Sequence, residues 1–260
     1  MSILKLDGIC KSYKSSNGER KQVISDFSFE VKTPKFYTIV GPNGCGKTTM
    51  LNIIAKTTVP DSGTVLYPSS PNGKLKIGYI WQDYRASLFP WLTVGENITF
   101  PLKVKRVPRK KRDQTAQKLL NEFGINLNIH DHTYQLSGGQ QQIVNILRNM
   151  VISPELLLLD EPFSALDQYN RWALAFKFES IWRKLNVPVF FVSHDVDEAV
   201  LLADEILLLN KTGNIEKVLC NNEPRPRKVE MLSSANHNAC RKEVIEFLFE
   251  KGAFNDIRPN

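Results

Sequence analysis

The chain has 260 residues, 42% of them hydrophobic, 10% aromatic and 23% charged, a balance that supplies a large core and excludes an intrinsically disordered protein. Its 34 Lys and Arg against 27 Asp and Glu leave a net charge of +7, compatible with nucleic acid, an anionic membrane face or an anionic small ligand, and unable to choose among them. No apolar run approaches the ~18 residues that cross a bilayer: Val151-Ile152 with Leu156–Leu159, and Val187–Val192, are short and interrupted by Pro154 and Pro188.

Met1–Asp7 carries no basic region followed by an apolar stretch, so no signal peptide is expected. Ile3–Ile9 and Val23–Val31 alternate apolar and polar residues around Ser15-Ser16-Asn17-Gly18, which predicts an antiparallel β edge joined by a turn. Phe36–Val40 is almost continuously apolar, as in a strand buried on both faces. It runs into Gly41-Pro42-Asn43-Gly44-Cys45-Gly46-Lys47-Thr48, which fits G-x-x-x-x-G-K-[ST], and then into a helical stretch from Lys47 to about Lys56. Strand, glycine loop and helix form the context in which backbone N–H groups cradle phosphates. Glycines at 41, 44 and 46 permit close backbone approach, and the helix N-terminus adds about half a positive charge. In such a loop Lys47 reaches the β and γ phosphates and Thr48 offers its hydroxyl to Mg²⁺.

Cys45 stands in a variable position of this loop, where a helix N-terminus lowers a thiol pKa. A redox sensor is one reading, and a small residue that fits is the preferred one. Thiol reagents are expected to inhibit, with protection by ATP. The other cysteines, at 10, 220 and 240, form neither C-x-x-C nor a zinc pattern, and reduced thiols in a cytosol are expected.

Ile77–Trp81 reads as a short strand ending at Gln82. From 83 to 135 the character changes to helical patterns around Val94–Leu102 and Lys110–Phe123, crossed by a basic stretch from Lys103 to Arg112. An inserted helical lobe over about 83–150 is expected. Within it Leu136-Ser137-Gly138-Gly139-Gln140 pairs a helix-capping serine with two glycines that leave N–H groups bare, a second anion site. Leu156–Leu159 then ends in Asp160-Glu161. A carboxylate leaving a strand at 160 can hold Mg²⁺ through water, and Glu161 can polarise an attacking water as general base. Val189–Val192 and Ile206–Leu209 return as buried strands with helices between, which predicts a mostly parallel sheet. Beyond about 222 the chain is polar and Pro-containing, closing on an amphipathic stretch near Val244–Phe249.

The phosphate loop, the Leu-Ser-Gly-Gly-Gln segment about ninety residues later and the acidic strand end, in that order, resemble the ATP-binding cassette ATPases over nearly the whole chain. The resemblance implies an α/β fold: a P-loop NTPase core with a mostly parallel sheet, an antiparallel β edge subdomain and an inserted α-helical subdomain. It implies one ATPase domain over 1–222 and a short tail over 223–260. It implies ATP and Mg²⁺ as cofactors, held by Gly41, Pro42, Asn43, Gly44, Cys45, Gly46, Lys47, Thr48 and Thr49, with Thr48, Gln82 and Asp160 toward the metal. Two copies would pack head to tail, so that Ser137, Gly138, Gly139 and Gln140 of one close over the γ-phosphate held by Lys47 of the other. Tyr13 corresponds to the aromatic that stacks on adenine, with a plain β-edge tyrosine as the alternative. Gln82 corresponds to the glutamine near the attacking water, His194 to the switch histidine at the γ-phosphate, and Asp167 to the aspartate that communicates across the dimer. Ile143 stands where most relatives have Arg, and Asn145, Leu147 and Asn149 also depart from the pattern while Arg148 remains. These departures bear on the packing and coupling of the helix behind the signature.

DNA-repair relatives need a long coiled coil between loop and signature, and ribosome-acting relatives carry two cassettes. This chain has neither, so an ATPase subunit of a membrane transporter fits best. Leu88–Asn97, His194–Val200 and Pro224-Arg225-Pro226-Arg227 are similar to the nitrate, sulfonate, taurine and bicarbonate importers. That likeness implies import of a small anion, integral membrane permease partners, an extracytoplasmic solute-binding protein, a second ATPase copy and a place on the cytoplasmic face of the membrane. Nucleic acid is the less favoured partner; a non-transport cassette, or an exporter or lipid-transport subunit, stays as the alternative. Phe89 and Trp91 either anchor a permease helix or pack inside the lobe. The basic stretch either is a solvated face or binds phosphate backbones or lipid headgroups.

Overall fold

The computed structural model describes residues 2–14, 18–70 and 72–252; the expected turn at Ser15-Ser16-Asn17 and the last eight residues of the tail lie outside them. In chain order the elements are β1 (Leu4–Lys14), β2 (Arg20–Val31), β3 (Phe36–Val40), α1 (Lys47–Ile54), β4 (Ser62–Leu66), β5 (Ile77–Ile80), α2 (Tyr84–Ser87), α3 (Val94–Ile98), α4 (Phe100–Val104) and α5 (Arg109–Glu122). They continue with α6 (Gly138–Met150), β6 (Leu156–Asp160), α7 (Gln168–Leu185), β7 (Val189–Val192), α8 (Val196–Leu202), β8 (Glu205–Leu209), β9 (Ile215–Cys220) and α9 (Ala235–Glu250). They fall into two compact units, Met1–Leu75 with Pro188–Asn260, and Lys76–Val187.

In the first unit, β1 pairs antiparallel with both β2 and β4, with Leu6 opposite Phe29 on one side and Val65 on the other. This three-stranded sheet is the antiparallel edge expected from the alternation; its third strand, β4, carries a glycine and is mostly exposed. Alongside it β3 lies between β7 and β8 in parallel register, Thr38 opposite Phe191 and Ile206, and β9 returns antiparallel to β8. Every residue of β3 is buried, as its apolar run requires. The one polar side chain in that run, Thr38, donates its hydroxyl to the Ala199 carbonyl at 3.2 Å, so burial leaves it satisfied. Between the two sheets Phe29 meets Tyr37 edge to face, with centroids 5.5 Å apart, and Tyr37 stacks on Phe190 at 5.3 Å.

The tail helix α9 closes this unit. Val244, Phe247 and Leu248 pack with Val200, Ile206, Leu208 and Leu219, each contributing about 1.5–3 kcal/mol of burial. The chain reaches α9 through a charged clamp: Asp204 accepts from the Phe36 N–H at 2.8 Å, from Arg225 at 2.8 Å and from Arg227 at 3.5 Å.

In the second unit β5 and β6 run parallel, Gly78 opposite Leu157, and β6 is wholly buried. The helical pattern expected across Val94–Leu102 is broken into α3 and α4 at Thr99, where Pro101 forces a new first turn. Arg148 braces this lobe: it donates to the Asn97 carbonyl at 2.9 Å, to Asn97 Oδ1 and to the Ser87 carbonyl, and lies over the Phe89 ring. Burial pushes its guanidinium down to about 10, still charged at neutral pH.

Candidate active site

The loop leaving β3 is shaped by space as much as by sequence. A side chain at Gly41 would stand 2.8 Å from both Cys45 Sγ and the Leu209 carbonyl. Gly44 and Gly46 have φ of 74° and 95°, and a Cβ at Gly46 would meet Val23 and Ile24 of β2 at 2.9 Å. Only glycine meets both demands at Gly46. Lys47 opens α1 and is buried; its Nζ donates to the carbonyls of Gly41 at 2.8 Å and Pro42 at 3.1 Å, so the ammonium lies inside the loop. No acidic residue stands in the first turn of α1, and Asn43, Gly44 and Thr48 are exposed while Thr49 is half-buried. A buried cation, a helix N-terminus and a glycine cradle together suit a polyphosphate.

Cys45 corrects the expectation of a lowered thiol pKa. Its side chain is buried, and loss of solvent raises the pKa, with Lys47 only partly opposing. A buried, protonated thiol is inert, so the redox-sensor reading has no support here.

Also in the first unit, Tyr13 sits on β1 opposite Lys21, 43% exposed, with Lys11 Nζ 5.5 Å from its ring centroid. An exposed ring on a strand offers a stacking face. His194 is exposed two residues past the end of β7. The turn that carries it is fixed by Ser193, which hydrogen-bonds Glu198 and accepts from the Asp195 N–H at 3.0 Å, while Asp195 caps α8.

In the second unit Asp160 is the last residue of β6 and only 5% exposed. Its charge, after burial itself, holds the Tyr79 phenol above its ordinary pKa. Glu161 follows with φ of 49°, a left-handed conformation costing a non-glycine residue about 1–3 kcal/mol. Gln82 Nε2 donates to Glu161 Oε2 at 2.9 Å, and the Glu161 carbonyl accepts from Ser164 Oγ at 3.0 Å. Asp167 caps α7 by accepting from the Asn170 N–H and amide, and the Asn170 side chain foremost holds its carboxyl below the ordinary range.

Ser137 and Gln140 form a reciprocal capping box at the start of α6, with Ser137 N–H donating to Gln140 Oε1 at 2.9 Å. Around Gly139 there is open space where a side chain would stand. Beside this end lies a cavity of about 350 Å³ lined by Ile125, Leu127, Ile143, Leu174 and Lys177 among others.

A family model described as ABC transporter matches residues 24–164 of the chain. The chain belongs to that family. This ABC ATPase is 37% identical over 248 residues to an uncharacterized ABC transporter ATP-binding protein of Methanocaldococcus jannaschii, covering 94% of this chain and 91% of the relative. It is 36% identical over 250 residues to the aliphatic sulfonates import ATP-binding protein SsuB of Bacillus cereus, covering 95% and 96%. Among solved structures it resembles a dimeric ATP-binding cassette in a post-hydrolysis state bound to ADP and Pi, at 28% identity and TM-score 0.70, covering 85% of this chain and all of that one. It shares its fold with cbiO1 of Clostridium perfringens, part of the ABC transporter complex cbiONQ, at 24% identity and TM-score 0.72 over 84% and 88%. The α/β fold with its antiparallel sheet is that of the P-loop ATPases, and the chain is an ATPase, the ATP-hydrolysing subunit of a transporter. Among the described residues no helix is long and apolar enough to cross a membrane.

Within this ABC ATPase the departures behind the signature acquire a structural use. Asn149 Oδ1 accepts from the Tyr79 N–H at 3.0 Å, Asn149 Nδ2 donates to the Asn145 carbonyl, Asn145 reaches Gln142 Oε1, and buried Gln142 donates to the Pro162 carbonyl at 2.6 Å. This ladder runs from β5 along α6 to the residue after Glu161. Ile143 is half-buried in the cavity wall and Leu147 fully buried. Phe89 packs on Phe100, with centroids 4.5 Å apart, whereas Trp91 is 71% exposed. Trp91 also lies against Phe89, with centroids 5.5 Å apart.

Proposed function

We propose that two copies of this chain sandwich MgATP head to tail and drive a membrane permease that imports a small anion. Gly41–Thr49 and Tyr13 take the nucleotide, and Ser137, Gly138, Gly139 and Gln140 of the second copy, with Asp167 communicating across the interface, complete its site. Thr48, Gln82 and Asp160 would hold Mg²⁺, which neutralises phosphate charge when bound. Glu161 takes the proton of the attacking water, Gln82 orients that carboxylate, and His194 donates to the γ-phosphate. The catalytic domain spans 1–222, with the helical part over about 83–150 and 223–260 as a tail.

One observation carries the reading: Gly139 opens onto free space at a helix end whose capping serine is already bonded to its own helix. Bare N–H groups there suit an anion brought by another molecule. The test is complementation. Lys47→Ala and Ser137→Ala chains, each inactive alone, regain about a quarter of wild-type activity when mixed, because half the dimers hold one intact composite site. No recovery on mixing would show that each copy works in isolation.

Import of a small anion rests on the 36% identity with SsuB and on the similar segments at 88–97 and 194–200. Exposed Trp91 is the anchor for the permease. Trp91→Ala is expected to keep ATPase activity and lose transport in vesicles carrying the permease and solute-binding protein. Peripheral attachment at the cytoplasmic face follows from that docking.

A further inference from the structure

Helix α5 begins with Arg109, Lys110, Lys111 and Arg112, four cations in the first turn, and contains no acid there. A helix N-terminus already carries about half a positive charge, so cations at this end are unfavourable by themselves. The preceding Pro108 provides no side-chain cap; the Arg112 N–H donates to the Pro108 carbonyl at 3.1 Å, while the N–H groups of Arg109, Lys110 and Lys111 have no partner within the helix.

Arg112 makes the arrangement more than a surface accident. It is 7% exposed; Nε donates to the Val107 carbonyl at 3.2 Å, which folds the guanidinium back over the helix start, and Nη1 is buried with no hydrogen-bond partner. A buried guanidinium at the positive end of a helix is costly unless an anion stands nearby. The acids in reach are few. Asp113 lies 3.8 Å from Arg109, and Glu96, engaged in the capping box of α3, is held low foremost by the Thr93 N–H and further by Arg109 and Lys103. Among the described residues neither forms an ion pair with Arg112. Around the site Lys103, Lys105, Arg106, Lys110 and Lys111 are exposed, and among them Val104 is 69% exposed.

We propose that the start of α5 is a phosphate site for the headgroup of an anionic phospholipid. The N–H groups of Arg109, Lys110 and Lys111 would take the phosphate oxygens, Arg112 would supply charge from beneath, and Val104 would enter the acyl boundary. The bare apolar residue within the basic patch favours a membrane over a nucleic acid, which offers no apolar phase. The inference deepens the membrane-associated reading above but uses no nucleotide residue, so its failure leaves ATP hydrolysis and dimer formation untouched.

The test is flotation of the full-length protein with vesicles of phosphatidylcholine alone and of phosphatidylcholine with phosphatidylglycerol. Binding to the anionic vesicles only is expected, weakening roughly fivefold for each cation removed. Lys111→Glu should lower it roughly 25-fold, the square of that step for a two-charge reversal, and Arg112→Gln should lower it too, while Lys118→Glu, the same charge reversal farther along α5, retains it. Retained ATPase activity shows each variant is folded, and Lys111→Glu, being exposed, decides the matter if Arg112→Gln does not fold. Inorganic phosphate at matched ionic strength should compete only weakly, since it lacks the surface. Equal loss in Lys118→Glu would reduce the effect to bulk charge. Full competition by free phosphate, or tighter binding of a single-stranded oligoribonucleotide through the same residues, would overturn the lipid assignment.

Discussion

Gln82 Nε2 donates to Glu161 Oε2 at 2.9 Å, tying the end of β5 to the residue that leaves β6 in a left-handed turn. The bond engages one oxygen of the carboxylate proposed as general base. Glu161→Gln is therefore expected to lower kcat about 10²–10⁴-fold while ATP binding persists, giving a long-lived ATP-bound dimer on gel filtration. Gln82→Ala leaves the carboxylate present but less constrained, so a loss of about tenfold in kcat is expected. Normal turnover by Glu161→Gln would remove it from the general-base role.

How much of this was legible beforehand follows from where the chemistry sits. The phosphate loop, Ser137-Gly138-Gly139 and Asp160-Glu161 are each contiguous in sequence, so residue type and order reveal them. β3, β6, β7 and β8 were legible because both faces are buried and their apolar runs are unbroken. β4 and β9 were not, since edge strands that stay largely exposed carry no such run. The Glu161 backbone, the Gln142–Pro162 bond and the Asp204 clamp were invisible because each depends on residues brought together only by folding. The lowered thiol pKa expected at Cys45 failed for the same reason: burial, which sequence does not display, outweighed helix position, while the preferred reading of a small residue that fits the loop is untouched.

Lys47 is held by two loop carbonyls, Gly41 and Pro42. Lys47→Ala should abolish turnover, and it should also remove the rise in Tm that MgATP gives the wild-type protein. In the absence of nucleotide the variant should lose only about 1 kcal/mol, the worth of the vacated hydrogen bonds. Unchanged thermal stabilisation by MgATP would show that the ammonium does not meet phosphate.

Thiol chemistry separates the cysteines. Cys220 is exposed and Cys45 buried, and burial raises the Cys45 pKa above the ordinary value of 9.0. Maleimide at neutral pH should label Cys220 first, with ATPase activity retained, and reach Cys45 only on unfolding. The sign for stability is that of a raised acid: the unfolded thiol ionises first, so its contribution is complete below pH 9.0 and declines as pH climbs past it. Rapid Cys45 labelling with loss of activity, seen by mass spectrometry, would restore the redox reading.

Asp204 joins the start of β3 to the tail through the Phe36 N–H, Arg225 and Arg227. Asp204→Ala leaves largely buried guanidinium groups facing an apolar replacement and is expected to cost about 2–3 kcal/mol, measured by urea unfolding. Asp204→Asn keeps an acceptor for the Phe36 N–H and should cost less. Equal stability of all three proteins would show that the tail is not fastened there.

The ladder along α6 offers a separate lever on catalysis. Gln142 is buried and its amide ends on the Pro162 carbonyl, one residue past Glu161, whose backbone is already strained. Gln142→Leu fills similar volume but withdraws the donor, so the turn can relax and Glu161 can drift from its productive position; small displacements of a catalytic group are costly. The expected outcome is a kcat lowered about tenfold with KM for ATP nearly unchanged, because the phosphate loop is untouched. A merely structural role would instead lower thermal stability and leave kcat per folded molecule as it was. Asn149→Leu, which removes the acceptor for the Tyr79 N–H at the far end of the ladder, should reproduce the kcat effect in weaker form if the ladder acts as one connected brace.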